Sequence, residues 1–186
     1  MKKNNSSPHV SMHSVYLCFF LSGAAALTYQ VAWSKALGLI FGHTAYAIAT
    51  VLAVFMAGLA AGSAVLTRWV RDPSHAIALY ARIEILAGVT GAVSLAGLAA
   101  VNSLYTAAYP LLTGIPALLA VFRFLGTAIV LFVPTFLMGG TLPILLHAAT
   151  RYHSELRKRI GRLYSVNTLG AVFGTLISGF ILLPAC

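Results

Sequence analysis

Residues 45–66 read AYAIATVLAVFMAGLAAGSAVL, a run of 22 residues without a charged side chain. A helix of about 20 apolar residues is long enough to cross the hydrocarbon core of a bilayer, which is roughly 30 Å thick. The run is therefore typical of a transmembrane helix, and it indicates the class of the whole protein.

The composition of the chain agrees with that class. Of its 186 residues, 60% are hydrophobic and 8% are charged, whereas an ordinary soluble domain has about 45–50% and about 25%. The carboxylates are Asp72, Glu84 and Glu155. Because so few charges cannot cover the surface of a soluble fold of this size, lipid is the expected solvent and the bilayer is the expected partner.

Further apolar runs extend the pattern along the chain. We predict an all-α fold, a polytopic transmembrane helix bundle of about five spans, with a cytoplasmic tail at 1–14 and a helical domain at 15–186. The predicted spans are 15–41, 45–66, 77–101, 115–138 and 163–184. The first span also resembles the start of a signal peptide, but its apolar run continues well past Ala26, which favours an uncleaved anchor helix.

The fourth apolar run, 115–149, is too long for one straight span. Pro134, the pair Gly139-Gly140 and Pro143 interrupt it, and both residue types weaken a helix. We therefore predict a broken fourth helix that ends at residue 138, followed by a short helix at 142–150. Segment 102–114, which contains Tyr105 and Tyr109, is predicted to lie at the membrane interface.

The basic residues predict the orientation of the bundle. Except for Lys35, Arg82 and Arg123, they all lie in segments 1–14, 68–76 and 151–162. With five spans, these three segments fall on one side of the membrane, and basic loops are retained in the cytoplasm. The N-terminus is therefore predicted to be cytoplasmic, in a multi-pass protein of the bacterial cytoplasmic (inner) membrane.

Polar residues inside the predicted spans are the candidate functional residues, because ionisable groups are costly in the membrane. They are Gln30, Lys35, Glu84, Arg123 and Asn167. Several of them have a structural alternative. The long side chain of Lys35 could extend toward the interface, as could that of Arg82, a cation two residues before Glu84. Asn167 could be a simple interfacial group, and Glu84 could pair with a cation from another helix instead of coupling transport.

Glycines occur at the spacing that allows close helix contacts. Three GxxxG pairs fall in three different spans, at Gly38 and Gly42, Gly58 and Gly62, and Gly170 and Gly174. Because helix association in lipid depends on packing, these pairs predict a closely packed bundle without indicating a ligand.

The sequence does not match the enzyme or binding classes that its composition could suggest. The histidines show no metal-ligand spacing, and no glycine-rich loop has the strand–turn–helix setting of a nucleotide site. No basic face alternates with aromatic residues as in nucleic-acid binding. We therefore expect no catalytic residue, cofactor, metal or nucleic-acid partner.

Four stretches carry a family resemblance: 20–42 (FLSGAAALTYQVAWSKALGLIFG), 45–63 (AYAIATVLAVFMAGLAAGS), 134–146 (PTFLMGGTLPILL) and 161–184 (GRLYSVNTLGAVFGTLISGFILLP). Together with 79–88, they resemble the membrane part of bacterial fused proteins in which a transporter-like region precedes a spermidine-synthase-like domain. The family usually has Glu at the position of Gln30 and Arg at that of Lys35. The missing carboxylate argues against proton coupling at Gln30.

This resemblance implies a non-catalytic membrane module, transporter-like or an anchor for a polyamine-related enzyme. The aminopropyl-transferring domain of the family has no counterpart in this sequence, so we expect no such activity, and a fragment, a split gene or a stand-alone subunit. The implied partner is a spermidine-synthase-like domain. The alternative is a small subunit that packs against a larger membrane complex through its glycine faces.

Overall fold

The computed structural model describes residues 12–41, 45–69, 73–112, 116–149 and 156–183. These residues form five long helices and contain no β-strand. The helices are α1 (Met12–Phe41), α2 (Ala45–Leu66), α3 (Pro73–Leu112), α4 (Pro116–Ala149) and α5 (Leu156–Ile177). A 3₁₀ turn, Thr67–Trp69, follows α2, and a π-helical segment, Ser178–Leu182, continues α5.

Each of the five helices is long and apolar enough to cross a membrane. The prediction of an all-α bundle of five spans is therefore confirmed. Many large apolar side chains face outward, among them Ile129, Leu111 and Phe180, which are 71%, 86% and 78% exposed. An apolar exterior of this extent suits lipid rather than water.

The helix contacts show that the spans alternate in direction. Phe20 packs near Gly170 and Ala24 near Gly174, so α1 and α5 are parallel. Gly97 packs against Val130 and Gly126 against Val101, so α3 and α4 are antiparallel. Ser22 bonds to Glu84 and Trp33 bonds to Ser94, so α1 and α3 are also parallel. Helices α1, α3 and α5 therefore end on one side of the bundle, here called the distal end, and begin at the proximal end.

The helices pack as two groups. Helix α4 has extensive contacts with α2 and α3, and α1 has extensive contacts with α5. The two groups meet over smaller contacts, mainly between α1 and helices α2 and α3. Three buried side chains of α1 join apolar clusters formed mostly by the other group: Phe19 at the proximal end, and Trp33 and Leu37 at the distal end.

Glycines make the close contacts within each group possible. A Cβ on Gly58 or Gly62 would overlap Thr135 or the carbonyl oxygen of Phe136 on α4. A Cβ on Gly170 or Gly174 would overlap a carbonyl oxygen of α1 in the same way. These contacts allow the two backbones to approach to a distance that any side chain would prevent. Gly38 is buried in α1, and Gly42 lies outside the described residues.

The fourth helix corrects the sequence prediction. Instead of breaking at Gly139-Gly140 and resuming at 142–150, α4 continues through these glycines and through Pro134 and Pro143 to Ala149. The physical reason is packing: Gly139 accommodates the backbone of Leu59 on α2, and Gly140 accommodates the side chain of Leu66. Helix breakers are tolerated in membrane spans where neighbouring helices cover the weakened backbone.

The third helix is also longer than the predicted span 77–101. It continues to Leu112, with Pro110 in its last turn, so most of the predicted interfacial segment 102–114 is helical. The hydroxyls of Ser103 and Thr106 donate to carbonyls of the preceding turn, so their hydrogen-bonding groups are satisfied within the helix. The contact of Trp33 with Ser94 places these two residues of α1 and α3 at the same level. Counted from that level, α3 extends about 15 Å farther than α1 at the distal end.

The starts of α1 and α5 differ less from the prediction. Helix α1 begins at Met12, inside the predicted tail 1–14, and α5 begins at Leu156, inside the predicted basic loop 151–162. The first turn of α5 contains arginine and lysine, which are good helix formers, so this helix can begin in the interface. The rest of the tail and the turn 42–44 lie outside the described residues.

Candidate functional site

The candidate polar residues do not form one site. Glu84 and Asn167 lie in the proximal half of the bundle, on either side of α1. Gln30 and Lys35 lie together near the distal end, and Arg123 lies apart from both pairs, where α4 meets α3. Arg82 is exposed on the surface of α3.

Glu84 is half-buried where α3 faces α1. The Ser22 hydroxyl of α1 donates a 2.7 Å hydrogen bond to Oε1 of Glu84. The Tyr80 hydroxyl, one helical turn before Glu84, interacts with the same carboxylate, although it forms no hydrogen bond of normal geometry with the described residues. The site is therefore one carboxylate between two hydroxyls at membrane depth.

The partner of Glu84 differs from the expectation. The sequence suggested a cation from another helix; the structure places a hydroxyl from another helix there. Ser22 precedes Lys35 by about 20 Å along the axis of α1, which puts Lys35 out of reach. Among the described residues, Glu84 is the only carboxylate, and no basic side chain pairs with it.

Asn167 lies on the other side of α1 at the same level. A Cβ built on Gly23, the neighbour of Ser22, would come within 2.8 Å of the Asn167 side-chain oxygen and would overlap its carbonyl oxygen. Gly23 thus allows α5 to approach α1 directly beside the Ser22–Glu84 hydrogen bond. Asn167 is half-buried in this contact, which fits a polar group between two helices.

Gln30 and Lys35 line an open cleft of about 560 Å³ between α1 and the end of α5. We call it the distal cleft. Its α1 wall consists of Leu27, Gln30, Val31, Ser34 and Lys35, and its opposite wall of Thr175 and Leu183. The Lys35 ammonium group donates a 3.0 Å hydrogen bond to the carbonyl of Leu183, just beyond the π-helical segment.

Arg123 interacts with an aromatic residue of α3. Its guanidinium carbon lies 4.1 Å from the centre of the Tyr105 ring, and one of its terminal nitrogens donates to the Tyr105 hydroxyl. Tyr109 packs edge-on against Tyr105. A cation over an aromatic face near the end of a span is a stable interfacial arrangement, so this arrangement needs no ligand.

Sequence reasoning missed most of the partners of these residues. Tyr80 could have been found, because it precedes Glu84 by one turn and residues at that spacing share a helix face. Ser22 and Tyr105 could not, since serine and tyrosine are ordinary within spans. Where the structure describes the chain, no group of three His, Cys, Asp or Glu side chains could hold a metal ion.

Comparison with known proteins gives no assignment. No protein-family model matches the chain, and no curated protein and no solved structure shows significant similarity to it.

Proposed function

We propose that this chain is a non-catalytic, transporter-like membrane module in which Glu84 binds a proton or a cationic solute between two groups of helices. The observation that carries the proposal is the position of Glu84. Its carboxylate lies at the contact of α1 with α3, where the α1–α5 group meets the group of α2, α3 and α4.

The contacts within each helix group differ in kind from the contacts between the two groups. Within each group, glycines bring the backbones together, so these contacts are close and rigid. Between the groups, α1 contacts α3 through hydrogen bonds from Ser22, Tyr29 and Trp33. Transporters commonly move one rigid group of helices against another around a membrane-embedded site, and this division of contacts supports such a movement.

The chemistry of the site suggests its ligand. A carboxylate is costly at membrane depth, so a residue such as Glu84 is a functional candidate by default. Its negative charge would attract a proton or a cation. The family resemblance described above implies polyamines or related cations as solutes, and a spermidine-synthase-like domain as the partner of the module. We include both the polyamine solute and the synthase-like partner in the proposal.

The test is uptake by the purified chain in liposomes. We expect radiolabelled putrescine or spermidine to accumulate above the level of empty liposomes. The variant Glu84→Gln should fold, because the amide oxygen still accepts the Ser22 hydrogen bond. Its uptake should fall by about tenfold or more, the equivalent of ~1.4 kcal/mol, because the charge is lost.

The matched control is Arg82→Gln, which removes an exposed charge two residues away on the same helix. Its uptake should equal that of the wild type. Wild-type liposomes that take up neither polyamine would refute the solute class, and wild-type uptake by Glu84→Gln would refute the role of this carboxylate.

The proposed location is the bacterial cytoplasmic membrane with the N-terminus inside. The alternating helix directions and the basic segments of the sequence support this orientation together. Reporter fusions after Arg71, Gly114, Arg162 and Cys186 should read inside, outside, inside and outside. An inside reading after Gly114 would contradict the orientation.

A further inference from the structure

The distal cleft contains a cation, Lys35, with no carboxylate near it among the described residues. Lys35 lies half-buried in the cleft wall, and Glu84, the carboxylate that the described part of the chain contains, is about 20 Å away along the axis. The bond to the Leu183 carbonyl uses one of the three protons of the ammonium group. The remaining donors are available to a ligand.

The other polar groups of the cleft favour an anion with hydrogen-bond acceptors. The hydroxyls of Ser34 and Thr175 donate to carbonyls of their own helices, so their protons are not available. Gln30 carries an amide with two N–H donors in the same wall. The free donors of the cleft therefore come from Lys35 and Gln30.

The apolar part of the cleft indicates that the ligand has a chain. Leu27 continues the α1 wall from Gln30 toward the membrane interior, Val31 lies between Gln30 and Lys35 along the helix, and Leu183 closes the opposite side. The volume of about 560 Å³ falls within the range of ligand pockets. A small inorganic anion would leave most of this apolar surface uncovered.

We propose that the distal cleft binds an anionic phospholipid, with its phosphate at Lys35 and Gln30 and part of one acyl chain along Leu27 and Val31. Helix α1 ends at Phe41, about 9 Å beyond Lys35, so the flexible lysine side chain brings its charge toward headgroup level. A basic side chain between membrane helices attracts an anionic headgroup; with the N-terminus inside, the headgroup bound here belongs to the outer leaflet. The inference does not depend on the proposed transport function.

The experiment measures lipid binding to the full chain in neutral detergent by native mass spectrometry. Phosphatidylglycerol and phosphatidylcholine with identical acyl chains are the probes. The wild type should prefer phosphatidylglycerol by about fivefold, the effect expected of one basic residue on an anionic headgroup. Lys35→Gln should remove the preference, whereas Arg82→Gln, which removes an exposed cation outside the cleft, should retain it.

A second variant separates binding from folding, because Lys35 also holds the end of α5. Val31→Trp fills the cleft and leaves the Lys35–Leu183 hydrogen bond and the net charge unchanged. It should reduce bound phosphatidylglycerol by a similar factor. The proposal is overturned if Val31→Trp binds as much as the wild type, or if Lys35→Gln and Arg82→Gln have equal effects.

Excess inorganic phosphate distinguishes the two sources of the anion. Binding of phosphatidylglycerol should persist in its presence, because the acyl chain contributes to the affinity. Displacement of the lipid by phosphate alone would show that the cleft takes a soluble anion, and would overturn the assignment to lipid.

Discussion

Replacing Gly62 by leucine is expected to lower the free energy of unfolding by about 3 kcal/mol or more and to leave little folded protein. A Cβ at this position would overlap the carbonyl oxygen of Phe136. Because that oxygen belongs to the backbone of α4, no side-chain rotation can relieve the overlap, and α2 and α4 must separate. The measurement is an SDS titration of the purified protein in mixed micelles, followed by far-UV circular dichroism.

Gly88 provides the matched control. It lies within the span of α3, and a Cβ there would meet no atom within 4 Å. The free energy of unfolding of Gly88→Leu should therefore lie within about 0.5 kcal/mol of the wild-type value, as is usual for surface substitutions. Any difference should be a slight gain in stability, because leucine favours a helix more than glycine does. Equal stability of the two leucine variants would mean that the backbones of α2 and α4 are not in close contact at Gly62.

The second large effect is expected at Trp33. This side chain is fully buried between the two helix groups, donates a 2.7 Å hydrogen bond from Nε1 to the Ser94 hydroxyl, and stacks on Tyr29. Trp33→Ala should lower the free energy of unfolding by about 3–5 kcal/mol, because it leaves a cavity where α1 joins α2, α3 and α4. The same titration measures it.

Two further variants show whether the loss comes from the cavity. Trp33→Phe keeps most of the volume and should cost only about 1 kcal/mol, the value of the lost hydrogen bond. Trp69→Ala removes the other tryptophan, which is 66% exposed, and should change stability by about 0.5 kcal/mol or less. A Trp33→Ala protein as stable as Trp69→Ala would refute the buried position.

The number and class of the helices could be predicted from sequence because lipid imposes a simple rule. Backbone groups in the hydrocarbon core must bond within their own helix, so an apolar run of the right length forms one. The span 45–66 coincides with α2 for this reason. The continuity of α4 could not be predicted in this way, because Gly139 and Gly140 pack against α2 and a single sequence does not reveal which helices are in contact.

The candidate site was predictable only in part, for a related reason. Glu84 and Lys35 are conspicuous because charged residues are rare in spans. Their partners depend on which helices are neighbours, and Ser22 is 62 positions from Glu84 in the chain. The cleft beside Gln30 arises from the way α5 approaches α1, and no local pattern marks it.

The length of α3 has a consequence for the surrounding membrane. Its apolar span, Ala76–Leu111, covers 36 residues, which is about 54 Å of helix. A hydrocarbon core of roughly 30 Å would accommodate that length only at a tilt beyond the usual range of about 0–40°. The distal turns of α3, where Tyr105 packs against Tyr109, therefore reach past the hydrocarbon core into the headgroup layer. Because aromatic side chains favour that layer, this end of α3 should fix the depth at which the whole bundle sits in the bilayer.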